Sequence, residues 1–295
     1  MTRYWRRQGE WIEFMPGKAS LQDEQSTLAW LISELRLPKK FVHRMNHAGD
    51  IRTAGDRLRV KWFVAESDAY EPADAPAEVL YEDDACLVVY KPAGMAVHPT
   101  TPEQDKRRDS LAHAVACHYV WTGQASKVLH IHRLDVDTTG PVLYAKQPCT
   151  QVILDEMMRE KKIERIYHAI VQGTLTPASG TVDAPIGKDR HHRGKYRVSD
   201  SGAPAITHYE TLQPGSELSL VRLTLETGRT HQIRVHMSAK GHPLAGDTQY
   251  GGDGKLISRQ ALHGESLRFI HPLSGEQIVV EAPWPEDMLR LRQKI

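Results

Sequence analysis

The chain has 295 residues, of which 40% are hydrophobic and 25% charged, and its formal net charge is +1. This composition is typical of a globular protein and leaves room for one large domain with a small appendage, or for two domains. No apolar run reaches the ~18 residues of a membrane-spanning helix, and the first residues lack the apolar stretch of a secretory signal peptide. We therefore expect no membrane association.

The cysteines and the short motifs argue against a cofactor. Cys86, Cys117 and Cys149 have no metal-type spacing and are odd in number, which predicts free thiols in a reducing cytoplasm. The chain contains no dinucleotide-binding, Walker, nucleophile-elbow, His-Glu-x-x-His or Cys-x-x-Cys motif. We expect neither a metal nor an organic cofactor.

The sequence patterns within residues 1–65 predict a small N-terminal module. Residues 28–37 place leucine and isoleucine at the spacing of one helix face, and residues 49–64 alternate around two Gly-Asp turns as short strands do. Several basic residues lie between them: Lys39, Lys40, His43 and Arg44. An RNA-binding module and a capping subdomain with ordinary surface charges both fit this pattern.

Residues 66–77, rich in Ala, Pro, Asp and Glu, predict a linker before a larger domain at 78–295. That domain opens with a strand–turn–strand segment that ends near Gly94. The elements expected after it are a helix within 108–120, a helix at 150–162 with Thr150 as N-cap, strands at 164–173 and 219–228, a helix at 229–243 that starts near Thr230, and a hairpin at 266–283. The irregular mixture of strands and helices favours an α+β fold with a mixed, largely antiparallel central sheet.

The segment 131–146 carries the first candidate site. Asp135 lies two residues after Arg133, and a neighbouring cation keeps a carboxylate ionised. An ionised carboxylate in a walled site can act as a nucleophile, and Gly140 permits a backbone that other residues resist. A structural ion pair in a turn is the plainer interpretation. A glycosidase pair of Asp135 and Asp137 is disfavoured, because residues two apart on a strand point to opposite faces.

The segment 226–236 carries the second candidate site. Arg229 falls near a predicted helix start, where an arginine could bind a phosphate or pair with Asp135. His231 and His236 are five apart rather than four, so we favour helix packing or phosphate contact over metal ligation.

Two further features are open to more than one interpretation. Tyr167 lies on an otherwise apolar strand, where most tyrosines are core residues, although one could stack on a base. The segment 187–197 is basic and bounded by glycines, and it fits either a mobile phosphate-binding loop or a solvated charge run. Its cations include Lys188, Arg190 and Arg193.

Together these segments resemble the RluA-type family of RNA pseudouridine synthases over most of residues 78–295. The matching stretches occur in order: VLYEDDACLVVYKPAGMAVHP, HRLDVDTTG, RIYHAIVQG, LETGRTHQIRVHMSAKGHPLAGDTQYG and LHGESLRFIHPLSGE. The resemblance implies a pseudouridine-synthase-like fold. Residues 27–64 are only loosely similar to the small ribosomal-protein-type RNA-binding domain of many relatives, and they are shorter.

The resemblance also implies residue roles. Asp135 would be the nucleophile, Tyr167 the base-stacking tyrosine and Arg229 the ion-pair partner of Asp135, whereas Arg133 and Ile233 would hold the flipped nucleotide and wall the uracil pocket. Further substrate contacts are expected from six residues of the matching motifs and the basic loop: His132, Lys91, Thr138, Lys188, Arg190 and Arg193.

The implied activity is isomerisation of uridine to pseudouridine in ribosomal or transfer RNA. The cysteines predict a cytoplasmic protein, and because nothing in the sequence suggests a large apolar surface patch we expect a monomer. An ionised Asp135 can attack either the anomeric carbon of the sugar or carbon 6 of the base. A catalytically silent RNA-binding protein on the same fold is the alternative. A glycosidase or nuclease would need a second carboxylate or a metal, and the sequence places neither.

Overall fold

The computed structural model describes residues 4–64 and 70–295. The N-terminal part consists of β1 (Trp5–Gln8), β2 (Trp11–Phe14), α1 (Glu24–Ser33), α2 (Lys39–His47), β3 (Ile51–Ala54) and β4 (Arg57–Lys61). Its strands form an antiparallel sheet in the order β1-β2-β4-β3. Asp23 and Ser26 cap α1 reciprocally, so this helix starts at Glu24 and ends before Leu35, earlier than the predicted span of 28–37.

A second antiparallel sheet carries the segment 131–139, with Asp135, between two of its strands. Its elements are β5 (Glu78–Glu82), β6 (Cys86–Lys91), α3 (Pro102–Arg107), α4 (Leu111–Trp121), β7 (Leu129–His130) and β8 (Gly140–Ala145), with strand order β5-β6-β8-β7. The C-terminal part of the predicted linker packs along α4, because the amides of Ala73 and Ala77 donate to the carbonyl groups of His113 and Ala114. Residues 65–69 of that region lie outside the described ranges.

The third sheet has six strands in the order β10-β13-β14-β9-β15-β16 and is antiparallel throughout. The remaining elements are α5 (Pro148–Arg159), β9 (Glu164–Gln172), β10 (Ser179–Asp183), β11 (Ile186–Lys188), β12 (Tyr196–Val198), β13 (Ile206–Gln213), β14 (Leu218–Leu225), α6 (Gln232–Ala239), β15 (Leu262–Ile270), β16 (Gln277–Glu281) and α7 (Glu286–Arg292). The expected α+β fold is thereby confirmed.

Two predicted helix starts are wrong. Helix α5 begins at Pro148 with Gln147 as N-cap, because proline is tolerated in the first turn, and Thr150 is buried inside the helix. Helix α6 begins at Gln232, after His231 in a left-handed conformation (φ 56°), so Thr230 is not its cap. No helix within residues 4–64 and 70–295 combines the length and apolar character needed to cross a membrane.

One hydrophobic core joins the N-terminal sheet to the rest of the protein. A second hydrophobic core fills the space between the second and third sheets. The indole Nε1 of Trp62 donates to Thr150 Oγ1 at 3.1 Å inside the first core. The two larger sheets approach most closely at Gly140 (φ 133°), where an added Cβ would lie 2.5 Å from the carbonyl oxygen of Gly264. Gly140 therefore has both the unusual backbone expected from the sequence and a packing reason for it.

Candidate active site

The segment between β7 and β8 forms a turn at the mouth of a cleft of about 550 Å³. The amide of Thr138 donates to the carbonyl oxygen of Asp135 at 3.0 Å, which closes the turn. The Asp135 side chain is 22% exposed and faces the cleft. A carboxylate is thus presented to a ligand-sized space by a turn that is fixed on both sides.

Asp135 pairs with Arg234 on the first turn of α6. Arg234 Nη1 lies 3.2 Å from Asp135 Oδ2, and the same guanidinium donates to Asp247 at 2.7 and 2.9 Å and to Gln249 at 2.9 Å. Burial would lower the pKa of Arg234, but the hydrogen bonds and charges of Asp247 and Asp135 outweigh burial and raise it. The arginine is therefore a fixed cation beside the candidate nucleophile.

The predicted pairing of Arg229 with Asp135 is wrong. Arg229 precedes the helix, is exposed at the rim of the cleft, and donates from Nε to the carbonyl oxygen of Pro204 at 2.9 Å. His231, which has a left-handed backbone conformation, changes the direction of the chain just before α6. As a result Arg234, in the first turn of the helix, contacts Asp135, whereas Arg229, before the helix, does not.

His231 completes the polar side of the site. Its Nδ1 lies 2.8 Å from the hydroxyl of Tyr250, and its Nε2 lies 4.0 Å from Asp135 Oδ2. Burial lowers the pKa of His231, which favours the neutral imidazole. His236, in contrast, is buried against Thr207 and the carbonyl oxygen of Ala184, as expected for helix packing.

The apolar side of the cleft is formed by Tyr167 and by aliphatic side chains that include Ile233, Leu225 and Leu262. Tyr167 lies on β9 and is only 6% exposed, because its ring is part of the core between the sheets. Burial raises the pKa of Tyr167, so its hydroxyl stays neutral. An aromatic face next to a fixed carboxylate suits a planar ligand that must be held while a bond breaks.

One predicted substrate contact, Lys91, is instead a support of the turn. Lys91 is fully buried, and its Nζ donates to the carbonyl oxygens of Pro92, Met95 and Val136 at 2.8, 2.8 and 2.7 Å. Burial lowers the pKa of Lys91 to about 7, and the charges of Asp137 and Asp135 oppose that shift. Because only an ammonium group has three protons to donate, this geometry corresponds to charged Lys91, which cannot reach a substrate.

Thr138 and His132 line the cleft but are largely buried. Thr138 Oγ1 accepts from Gln260 Nε2 at 3.3 Å, and His132 Nε2 accepts from the amide of Leu143 at 3.2 Å. Burial lowers the pKa of His132 to about 3, so the ring is neutral and holds the start of the turn against β8. Arg133 is exposed above them, with Nη2 3.4 Å from Thr230 Oγ1.

The basic loop lies beside the cleft without lining it. Gln249 Nε2 donates to the carbonyl oxygen of Gly194 at 3.3 Å, and Lys195 Nζ lies 5.4 Å from the centre of the Tyr250 ring. Lys188, Arg190 and Arg193 are exposed on this hairpin. The loop is thus attached to the same residues, Gln249 and Tyr250, that contact Arg234 and His231.

Among the described residues, one trio has a spacing compatible with a metal: Asp83, Cys86 and His271. The Asp83 carboxylate already accepts from the amides of Ala85 and Cys86 at 2.8 and 2.7 Å and lies 2.8 Å from His271 Nε2. Burial also raises the pKa of the Cys86 thiol well above its usual value. These contacts explain the cluster as a structural one.

The sequence interpretation missed two sets of residues, one that supports Arg234 and His231 and one that lines the cleft. Asp247 and Tyr250 occur in the GDTQYG stretch, which was noted only as a resemblance. Arg159, Lys161 and Arg165 line the cleft from the end of α5 and the start of β9. Of these, Arg165 carried a readable signal, because it lies two residues before Tyr167 on the same strand face.

A profile of the family described as "RNA pseudouridylate synthase" matches residues 85–239. The chain is 39% identical over 288 residues to the "Uncharacterized RNA pseudouridine synthase YhcT" of Bacillus subtilis (strain 168), which covers 97% of this chain and 93% of that protein. It is 37% identical over 255 residues to the "Ribosomal large subunit pseudouridine synthase D" of Vibrio parahaemolyticus, covering 82% and 77%.

Among solved structures, "Human RNA Pseudouridylate Synthase Domain Containing 4" superposes with a TM-score of 0.61 at 24% identity, over 74% of this chain and 92% of that one, and supports the fold. "Human RNA Pseudouridylate Synthase Domain Containing 1" gives 0.58 at 25% identity, over 73% and 86%. With the sequence relatives, these similarities show that the chain belongs to the RluA-type family of RNA pseudouridine synthases and is an RNA uridine isomerase.

Proposed function

We propose that the enzyme isomerises specific uridines of structured RNA and that Asp135 is its nucleophile. The observation that carries this proposal is the contact of Asp135 with Arg234, which Asp247 fixes, at the mouth of a cleft walled by Tyr167. A carboxylate held next to a permanent cation stays ionised, and an ionised carboxylate can attack. Arg234 takes the role that the sequence assigned to Arg229.

The reaction needs no external reactant. The bond from the anomeric carbon to nitrogen 1 of uracil breaks, a bond from the same carbon to carbon 5 forms, carbon 5 loses a proton and nitrogen 1 gains one. Asp135 bonds transiently to the sugar or to carbon 6 of the base. The target base must leave its stack, at a cost of a few kcal/mol that is lower in a loop or bulge. Tyr167 and Ile233 then hold the detached uracil.

We further propose that the substrate is ribosomal RNA, because relatives that share 37–39% of their residues with this chain are named ribosomal large subunit synthases. Arg133, Arg229 and the cations Lys188, Arg190 and Arg193 would contact its phosphates. Transfer RNA is the alternative substrate that the experiment below distinguishes. The three buried thiols fit a reducing cytoplasm, and we propose a monomer that acts there.

The proposed domain division has residues 1–65 as a module and 78–295 as the catalytic domain. The described part of the module shares a core with α5 and the second sheet, which supports a fixed appendage. On its outer sheet face, Arg52 stacks on Trp11 at 4.4 Å, and Arg57 and Arg59 approach the buried Glu13 at 3.7 and 2.8 Å. We propose that this basic face contributes secondary RNA contacts.

The decisive experiment uses RNA carrying tritium at carbon 5 of uracil, since that hydrogen is released when carbon 5 becomes the glycosidic carbon. Wild type and Asp135→Asn are compared on separate ribosomal and transfer RNA pools, with Asp137→Asn as the matched carboxylate two residues away. We expect release by wild type and Asp137→Asn only, from ribosomal RNA. Release by Asp135→Asn at the wild-type rate would refute the nucleophile.

RNA binding without release, in wild type as well, would favour the silent binding protein. A requirement for both Asp135 and Asp137 would instead revive a paired-carboxylate mechanism.

A further inference from the structure

Among the cations that line the cleft, Arg165 has a buried nitrogen without a hydrogen-bond partner. Six lysine or arginine residues line the cleft: Arg133, Arg159, Lys161, Arg165, Arg229 and Arg234. Arg234, Lys161 and Arg159 are each paired with a carboxylate, and Arg229 is bonded to a carbonyl group. Arg165 makes only a 3.5 Å contact from Nη2 to the carbonyl oxygen of Thr227, and its buried Nε has no hydrogen-bond partner.

The backbone around Arg165 is shaped to receive its guanidinium. Arg165 and Tyr167 are two residues apart on β9, so both side chains leave the sheet on the side of the cleft. Across from them, a Cβ on Gly228 would lie 2.8 Å from Arg165 Nη1. Gly228 does not have a left-handed φ, so its backbone conformation does not require glycine. The absence of a side chain at this position instead leaves room for the Arg165 guanidinium.

The charge of the cleft indicates the ligand. Its two carboxylates, Asp135 and Glu226, already face Arg234 and Lys161, which leaves an excess of positive charge around the guanidinium of Arg165. A planar fork of N–H donors suits a doubly accepting oxyanion. In RNA the anionic group is the phosphodiester, because uracil and ribose are neutral.

We propose that Arg165 binds a phosphodiester group of the RNA strand at the nucleotide that enters the cleft, and that Gly228 makes this contact possible by leaving space for the guanidinium. The proposal rests on the proposed function only in taking RNA as the ligand. The contact fixes the position of the sugar relative to Asp135, so Arg165 acts in substrate binding and positioning.

The test measures binding of a labelled short oligouridylate as a function of KCl concentration, in the full chain carrying Asp135→Ala to prevent turnover. Each phosphate contact to a single strand contributes about 0.7 to the slope of log affinity against log salt. We expect Arg165→Gln to reduce this slope by about 0.7 and to weaken binding about tenfold at ~0.1 M salt. Arg165→Lys keeps the charge and should lose less.

Gly228→Ala separates position from charge. It leaves every charge in place but shifts the guanidinium, so we expect a loss of affinity that is measurable but smaller than that of Arg165→Gln. The matched control is Arg222→Gln, on the same sheet but the opposite face, where Arg222 pairs with Glu210 at 3.0 Å in solvent. Thermal unfolding of each variant identifies any that fail to fold.

A salt slope and affinity of Arg165→Gln equal to those of the control would overturn the proposal, whatever the variant does to stability. The tritium assay is independent of this result. If wild type released no tritium but Arg165→Gln lost a phosphate contact, the isomerase assignment of Asp135 would fail and the Arg165 site would stand. If tritium release depended on Asp135 but the Arg165 and Gly228 variants bound RNA as wild type does, the isomerase assignment would stand and the Arg165 site would fail.

Discussion

Asp287 in the C-terminal helix holds Arg259 with two hydrogen bonds of 2.7 and 2.9 Å. Arg259 is itself buried, and its Nη1 donates to the carbonyl oxygen of Asp137 at 3.0 Å, two residues beyond the candidate nucleophile. Helix α7 is therefore linked to the turn that carries Asp135 through one guanidinium.

We predict that Asp287→Asn lowers kcat by about 10-fold or more with little change in KM, because it loosens the turn that carries Asp135. It leaves a buried arginine without its counter-charge and should lower the free energy of unfolding by about 1–3 kcal/mol. Single-turnover kinetics and urea unfolding measure the two effects. Glu286→Gln, one residue earlier and solvent-exposed, should leave both unchanged; equal effects in the two variants would exclude the link.

Arg234 and Arg229 should behave differently when replaced. Arg234→Lys removes the forked contact with Asp247 while keeping a charge, so kcat should fall about 100-fold or more. Arg229→Ala removes a rim cation and should mainly raise KM for RNA, with a smaller effect on kcat. Steady-state tritium release over a range of RNA concentrations separates these parameters. The reverse pattern would restore Arg229 as the partner of Asp135.

Lys91 provides a test of stability. Lys91→Met would leave three carbonyl groups around a buried side chain without their donor, and we expect a loss of about 3 kcal/mol of unfolding free energy. The matched change Lys188→Met, on the exposed hairpin, should alter stability by no more than about 0.5 kcal/mol. A Lys91→Met protein with wild-type stability and weakened RNA binding would instead support the original assignment of Lys91 to the substrate.

Buried histidines predict how stability depends on pH. Burial lowers the pKa of His132 to about 3 and that of His263 to about 4. Between those values and the ordinary value of 6.5, the unfolded chain binds protons that the folded protein does not, so stability must decrease as the pH falls. At about 1.4 kcal/mol per proton and pH unit, we expect a loss of about 2 kcal/mol between ~pH 6 and ~pH 5.

Urea unfolding of wild type and His263→Asn at several pH values checks this expectation, because the variant should lose the contribution of His263, about 1 kcal/mol between ~pH 6 and ~pH 5. Identical pH dependence in the two proteins would show that His263 does not titrate on unfolding.

The sequence predicted those parts of the site that lie close together in the chain. The His-Arg-Leu-Asp turn needs only its own residues and Gly140. Strand alternation favoured Tyr167 as a core residue, and its assignment to the site came from the family resemblance alone. The choice between Arg229 and Arg234 depended on where α6 starts, which the left-handed backbone of His231 decides and no side-chain pattern announces. The contact of Arg259 with Asp137 spans 122 positions and follows from the fold alone.

Lys91 illustrates a different difficulty. A lysine at the end of a strand is normally solvated, and a motif shared with RNA-modifying enzymes invites a role in RNA binding. Its burial is stable only because three carbonyl groups, one of them 45 residues away, converge on the same point. The positions of these carbonyl groups depend on how the loops that carry them pack against the rest of the fold, which local sequence does not show.

The contact between Gly140 and Gly264 has a consequence for the dynamics of the enzyme. The amide of Gly264 donates to the carbonyl oxygen of Thr139 at 2.7 Å, so a backbone hydrogen bond crosses from one sheet to the other next to the turn that carries Asp135. We expect this amide to exchange its hydrogen with solvent when the two sheets separate locally, an event that would also displace that turn. Protection of the Gly264 amide is thus a measure of how often Asp135 leaves its position beside Arg234.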